Sequence, residues 1–187
     1  MNTDWNRQLS EQLDWHWQNQ LRPRLDGLTD DEYFWEPVPG CWSVRPRGKS
    51  PVERQVGSGD FAFDLTEFDP VPAPLATISW QLGHIITGVF GERTANHFGG
   101  PPVSYLTFPY AGTADEALAQ LDAAYAAWLA GVQALGEEGL SRPCGPTEGP
   151  FAESPLSELI LHINREVIHH GSALSQLRDL YLWQKRG

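Results

Sequence analysis

The stretch from Glu153 to Tyr181, ESPLSELILHINREVIHHGSALSQLRDLY, constrains the chain more than any other. Leu156, Leu159, Ile160, Ile163, Val167, Leu174, Leu177 and Tyr181 fall at helical intervals and make one apolar stripe. Ser154 suits an N-cap, Pro155 suits the first helical position, and Glu158 lies in the first turn, where the helix dipole favours a negative charge. His162, Glu166 and His170 interrupt the stripe at intervals of four, so on a helix they stack one above another. Three ionisable groups left beside a bundle core cost on the order of several kcal/mol unless something pairs with them. A metal ion is the simplest partner common to all three.

Three further segments read as long helices. In residues 4–26, Trp5, Leu9, Leu13, Trp17, Leu21 and Leu25 keep a spacing near four; Asp4 suits a cap and Pro23 a kink or stop. In residues 75–98, Ile78, Leu82, Ile85, Ile86, Val89 and Phe90 form the apolar face. Gly83, Gly88 and Gly91 weaken that helix by roughly 1 kcal/mol each relative to Ala, and they mark places where another element comes close. In residues 114–136, Thr113 and Glu116 fit a capping box, Ala117, Leu121, Ala124, Tyr125, Trp128, Val132 and Leu135 face the core, and Gly136 suits the C-terminal cap. With 155–182 this makes four amphipathic helices and no convincing run of alternating strand residues. The expected fold is all-α, a four-helix bundle with long ordered loops, in a single domain over residues 1–187.

The longest loop, residues 37–74, is dense in Pro and Gly, which forbids a long helix. It also holds Trp42, Phe61, Phe63 and Phe68, anchors that a bare linker does not need, so it is expected to lie ordered across the bundle, with a mobile part around Lys49 to Asp60. Just before it, Thr29 and Glu32 fit a capping box opening a short helix.

A formal charge of −11 argues against a nucleic-acid backbone or an anionic membrane surface as partner, since both need clustered Lys and Arg. Cys41 and Cys144 are too few for a disulfide framework or a Cys-rich zinc site; Cys41, beside Trp42, reads as a small buried hydrophobe. The N-terminal residues lack the pattern of a signal peptide, and no stretch reaches the ~18 apolar residues of a membrane span, so a cytoplasmic location is expected.

The sharpest constellation is Glu166 with His170 on the fourth helix and His84 in the middle of the second. Residues at i and i+4 can bind one ion from the same helix face. A carboxylate and two imidazoles give three N/O ligands and leave a fourth position open, the pattern of catalytic rather than structural zinc. The spacing also allows Glu166 to pair with His169 at i+3, or His162 to join at i−4. His169 points about 100° away from its neighbour His170, toward the surface or behind the ligands. His162 reads as a satisfied core histidine or as lining the site, and His97 as a partner of its helix's C-terminal dipole. Two histidines and a carboxylate also fit the facial triad of non-haem iron oxygenases.

The order of elements, the WQLGHI segment with His84, the NREVIHHG segment, and DGLTDDEYFWEPVPGCWSVR at Asp26–Arg45 resemble the DinB-like superfamily of metal-binding four-helix bundles, in an actinobacterial form. The resemblance spans nearly the whole chain. Most such proteins carry three histidines, one on the second helix and two on the fourth. Here Glu166 matches the first of the fourth-helix pair and His170 the second, as in the His-Glu-His set of the related mycothiol-dependent maleylpyruvate isomerase. The resemblance implies a divalent metal, usually zinc or nickel, on His84, Glu166 and His170. It implies a low-molecular-weight thiol such as mycothiol or bacillithiol, activated to attack a small-molecule electrophile, hence a thiol transferase or isomerase. It also implies a homodimer. The competing reading is a non-catalytic metal-binding or stress-response protein.

Overall fold

Helices dominate the computed structural model, which describes residues 3–52, 54–65, 71–72 and 74–186. Helix α1 (Trp5–His16) runs on as a π-helical segment, Trp17–Leu21, and a 3-10 turn, Arg22–Leu25. Asp4 caps it, accepting from the Arg7 N–H, and Pro23 falls within the final 3-10 turn. After the short α2 (Asp30–Tyr33), the second long run comprises α3 (Ile78–His84), a π-helical stretch Ile85–Gly91 and α4 (Glu92–Phe98). Thr77 caps α3 by accepting from the Trp80 N–H, which puts the helix start three residues beyond the expected Leu75. The remaining long helices are α5 (Ala114–Leu140) and α6 (Leu156–Gln184).

The apolar stripes meet in one core. Leu13 and Leu21, Leu82 and Ile85, Leu121 and Trp128, and Ile160 and Ile163 are all buried there. Each such side chain contributes about 1.5–3 kcal/mol by leaving water. Trp5 departs from the expected α1 stripe: it is 59% exposed, while Asn6 and Ser10 are buried in its place. The Asn6 amide donates to the Val132 carbonyl at 2.8 Å, so a polar residue is tolerated inside because its bond is made.

The 37–74 segment is not only loop. Strands β1 (Val44–Pro46), β2 (Gln55–Val56) and β3 (Phe61–Asp64) form an antiparallel sheet in the order β1-β3-β2. Strands of two to four residues are too short for alternation to be read, and β3 buries Ala62, Phe63 and Asp64 in succession. Trp42, Phe61 and Phe63 are the expected anchors; Phe68 and Pro70 lie outside the described residues. Phe63 stacks on Trp80 of α3 at 5.0 Å and on Tyr110 at 5.1 Å. A Cβ on Gly83 would stand 3.1 Å from the Phe63 ring, and one on Gly88 only 1.9 Å from the Tyr105 hydroxyl. The helical glycines are therefore sites of close approach.

Several helix ends differ from expectation. Pro155, not Ser154, is the N-cap of α6 and makes no side-chain cap bond. Ser154 is held instead by backbone pairing, its carbonyl accepting from Cys144 N–H at 2.8 Å. Gly136 does break the regular helix, at φ 63°, but the chain resumes helical turns to Leu140. Thr113 accepts from the Glu116 N–H, while the Glu116 carboxylate reaches Gly112 rather than Thr113.

Thr29 caps α2 as expected, yet Glu32 does not close a capping box. Its buried carboxylate takes a two-point ion pair from Arg178 of α6, at 2.7 and 3.1 Å. Arg178 also donates to the Arg24 and Asp26 carbonyls, so this guanidinium pins the end of the first helical run and α2 to α6. Removing one member strands the other in low dielectric. We expect Glu32→Ala and Arg178→Ala each to lose about 3–5 kcal/mol. The double variant should lose clearly less than the sum, measured by urea unfolding as a double-mutant cycle. Additive losses would mean that the pair is not coupled.

Candidate metal centre

His84 closes α3 just before the π-helical segment, and its ring turns toward α6. The His84 and His170 rings meet edge to face, with centroids 4.4 Å apart. His84, Glu166 and His170 each place one donor atom within 4.8 Å of the others. All three are partly buried. The structure thus brings together the three residues singled out from the sequence, from two helical elements 82 positions apart along the chain (84 to 166).

The other ring nitrogens are already engaged. His170 Nδ1 lies 2.7 Å from Gln81 Oε1, which can only accept, so Nδ1 carries the proton and Nε2 has the free lone pair. His84 Nδ1 makes a short hydrogen bond with the Tyr105 hydroxyl. A proton on that nitrogen, donated to the Tyr105 oxygen, leaves His84 Nε2 free in the same way. Trp80 stacks against the outer face of the His84 ring at 5.5 Å and 13°, fixing its plane. Gln81 sits three residues before His84 in the segment WQLGH, where its helical position could have drawn notice. Tyr105 comes from the 99–113 loop and no spacing pointed to it.

Burial pushes His84 down from its usual 6.5 to about 3, helped by the neighbouring His170 and Arg93. Burial, with His169 adding to it, lowers His170 too, and the attraction of Glu166 does not reverse this. Both rings are neutral near pH 7, the form that binds a metal. The contact between His170 Nε2 and Glu166 Oε2 is 3.5 Å, beyond a good hydrogen bond. Two ligands bound at about 2.0–2.1 Å in tetrahedral array stand roughly 3.3 Å apart. The donor set and its spacing therefore fit a metal ion.

A cavity of about 120 Å³ opens at the cluster, lined by His84, Glu92, Arg93, Tyr105, His162 and Glu166 among others. Burial raises the pKa of Glu92, against the Tyr105 N–H and Arg93, which lower it. His162 is not a core histidine: its side chain is 41% exposed. Its Nδ1 accepts from Arg165 at 2.7 Å and lies 3.6 Å from Glu166. It borders the cluster without belonging to it. His169 is exposed, its ring edge-on to His170 at 5.0 Å. His97, in the last turn of α4, pairs with Glu148 at 2.9 Å, and His16 is buried against Gln20. Cys41 and Cys144 are free and buried. Among the described residues no helix is long and apolar enough to cross a membrane.

The depressed imidazoles set a pH dependence. Between pH 3 and 6.5 the unfolded chain binds a proton at residue 84 that the folded chain excludes. This contribution to stability is complete above about 6.5 and is lost as pH falls toward 3. Metal-free wild type should therefore lose more stability than His84→Gln between about pH 7 and about pH 4, read from urea midpoints. Equal losses would show that His84 is not held neutral.

A sequence model of the DinB superfamily matches residues 12–174. No curated protein and no solved structure matched the chain.

Proposed function

The chain belongs to the DinB superfamily, and on that premise we propose that it is a metal-dependent enzyme joining a low-molecular-weight thiol to a small electrophile, or isomerising one through such an adduct. The observation that carries this reading is the set of three donor atoms within 4.8 Å, with both remaining ring nitrogens committed to Tyr105 and Gln81. In this reading His84 Nε2, a Glu166 oxygen and His170 Nε2 would hold a divalent ion, zinc or nickel, three ligands that leave a coordination position for a thiol. The ion supplies Lewis acidity that keeps a thiol such as mycothiol or bacillithiol ionised at neutral pH.

The protein's own groups do the rest. Gln81 and Tyr105 fix the ring orientations, and such supporting contacts typically tune affinity by about 10–100-fold. Glu166 supplies one negative charge, so the three ligands compensate only half of a divalent cation, which favours an anionic fourth ligand. Trp80 and Tyr105 pack against the His84 ring and cover that side of the site. The sulfur pair forms a C–S bond at the electrophilic carbon. In transfer, the leaving group departs with its bonding pair and the thiol proton passes to solvent. In isomerisation, the C–S bond breaks again and the thiol is returned.

The test is elemental analysis of untagged protein purified without chelator, followed by thiol-consumption assays. About one zinc or nickel per chain is expected. His84→Ala, Glu166→Ala and His170→Ala should each lose most of it, while Tyr105→Phe and Gln81→Leu should weaken binding by about 10–100-fold. Retained metal in all three ligand variants would overturn the site. Bound metal with no thiol consumption, using either mycothiol or bacillithiol, would favour a non-catalytic metal protein.

A further inference from the structure

A second and larger cavity, of about 670 Å³, adjoins the one at the cluster, and Arg93 and His162 line both. Its walls come from the 3-10 turn Pro146–Phe151 and the first turns of α6. The two volumes divide the work between them. The small cavity holds the equivalent of about four waters at ~30 Å³ each, room for a reacting group but not for the molecule that carries it. The large one falls within the roughly 300–1,000 Å³ of sites for drug-sized ligands.

The lining indicates what such a ligand is. Pro150, Phe151, Leu159 and Leu161 supply apolar wall. Phe151 and Leu161 are 64% and 50% exposed, apolar surface that a bound molecule would cover. The charges on the wall offset one another. Arg93 lies 3.2 Å from Glu148 as an ion pair, and Glu148 also takes His97. Arg165 is engaged by His162 and, at 3.8 Å, by Glu166, while Glu158 adds a second carboxylate to the lining. Two arginines and two glutamates leave no net charge to select an ion.

We propose that this chamber binds the body of an uncharged, mainly apolar organic electrophile and presents its reactive carbon to the small cavity between Arg93 and His162. The assignment of the ligand as an electrophile rests on the thiol-transfer reading; binding of an apolar body in the chamber does not require the metal.

The probe is 4-phenyl-1-butanol, titrated calorimetrically into metal-free and metal-loaded protein, with 4-phenylbutyrate and 4-phenylbutylamine as charged versions of the same body. One saturable site is expected in both preparations, with each charged probe at least about tenfold weaker because its charge loses water and the wall carries no net charge to offset that loss. Phe151→Ser and Leu161→Asp, both at exposed positions, should each weaken the alcohol about fivefold or more. Trp183→Ser, at an equally exposed apolar residue near the far end of α6, should leave it unchanged. Absence of a saturable site, binding that tracks Trp183, or a charged probe that matches the alcohol would each overturn the proposal. Metal content measured on the same samples separates the two readings. Alcohol binding without metal uptake keeps the chamber and removes the thiol chemistry, whereas metal without alcohol binding removes the chamber alone.

Discussion

The carboxylate of Asp64 is the contact on which the functional end of the molecule depends. It is fully buried, and a bare charge there would cost on the order of several kcal/mol. It is instead surrounded by donors: Ser43 N–H and Arg45 on one oxygen, Ser50 and Gln55 on the other. These partners come from β1 and the residue just before it, from the turn before β2 and from β2 itself, so one side chain closes the sheet. Asp64 also ties the sheet to the bundle, because its carbonyl accepts from the Trp80 indole at 2.9 Å. Trp80 in turn lies against His84. A segment rich in Pro and Gly is thereby made rigid enough to orient an imidazole on the second helical run.

The same logic decides how the cluster on α6 should be understood. A histidine beside a glutamate can be an ion pair, and then burial works against it. For His170 the balance of burial and a neighbouring histidine against one carboxylate comes out on the neutral side. The 3.5 Å separation agrees, since a charged pair free to close would do so. What remains is two neutral imidazoles and a carboxylate whose donor atoms lie within 4.8 Å of one another, which is a poor salt bridge and a good ligand set. The protein-wide charge of −11 adds a field that attracts cations.

Much of this was legible in the sequence because helices write their periodicity into it. The stripe of α6, the stacking of His162, Glu166 and His170, and the buried face of α3 with its π continuation could all be read from spacing. The glycines at 83 and 88 could be read as points of close approach, though not what approaches. The sheet could not be read, because its strands are too short and its middle strand is buried without alternation. Tyr105 could not, because a loop residue's position depends on the whole fold. Glu32 was misread for a physical reason: local capping competed with a distant arginine, and the buried Arg178 pair gains more than one exposed N–H bond. The larger cavity is equally silent in sequence, since its walls come from a 3-10 turn and a helix face with no shared period.

The division between legible and illegible parts follows the division of roles. Ligands for an ion need fixed separations: helical spacing supplies that between Glu166 and His170, and the packing of two helical runs brings His84 to them. Shape is set instead by irregular segments: the sheet behind Trp80, the 99–113 loop that brings Tyr105 and the turn at Pro146–Phe151 that walls the larger cavity. Gly88 is where the two systems meet. Any side chain there would occupy the space of the Tyr105 hydroxyl, so only glycine allows the loop to reach His84. It sits within a π-helical stretch, a form that persists mainly where function repays its weaker hydrogen bonding. The widened helix and the missing side chain act together to let a loop residue engage Nδ1 of His84.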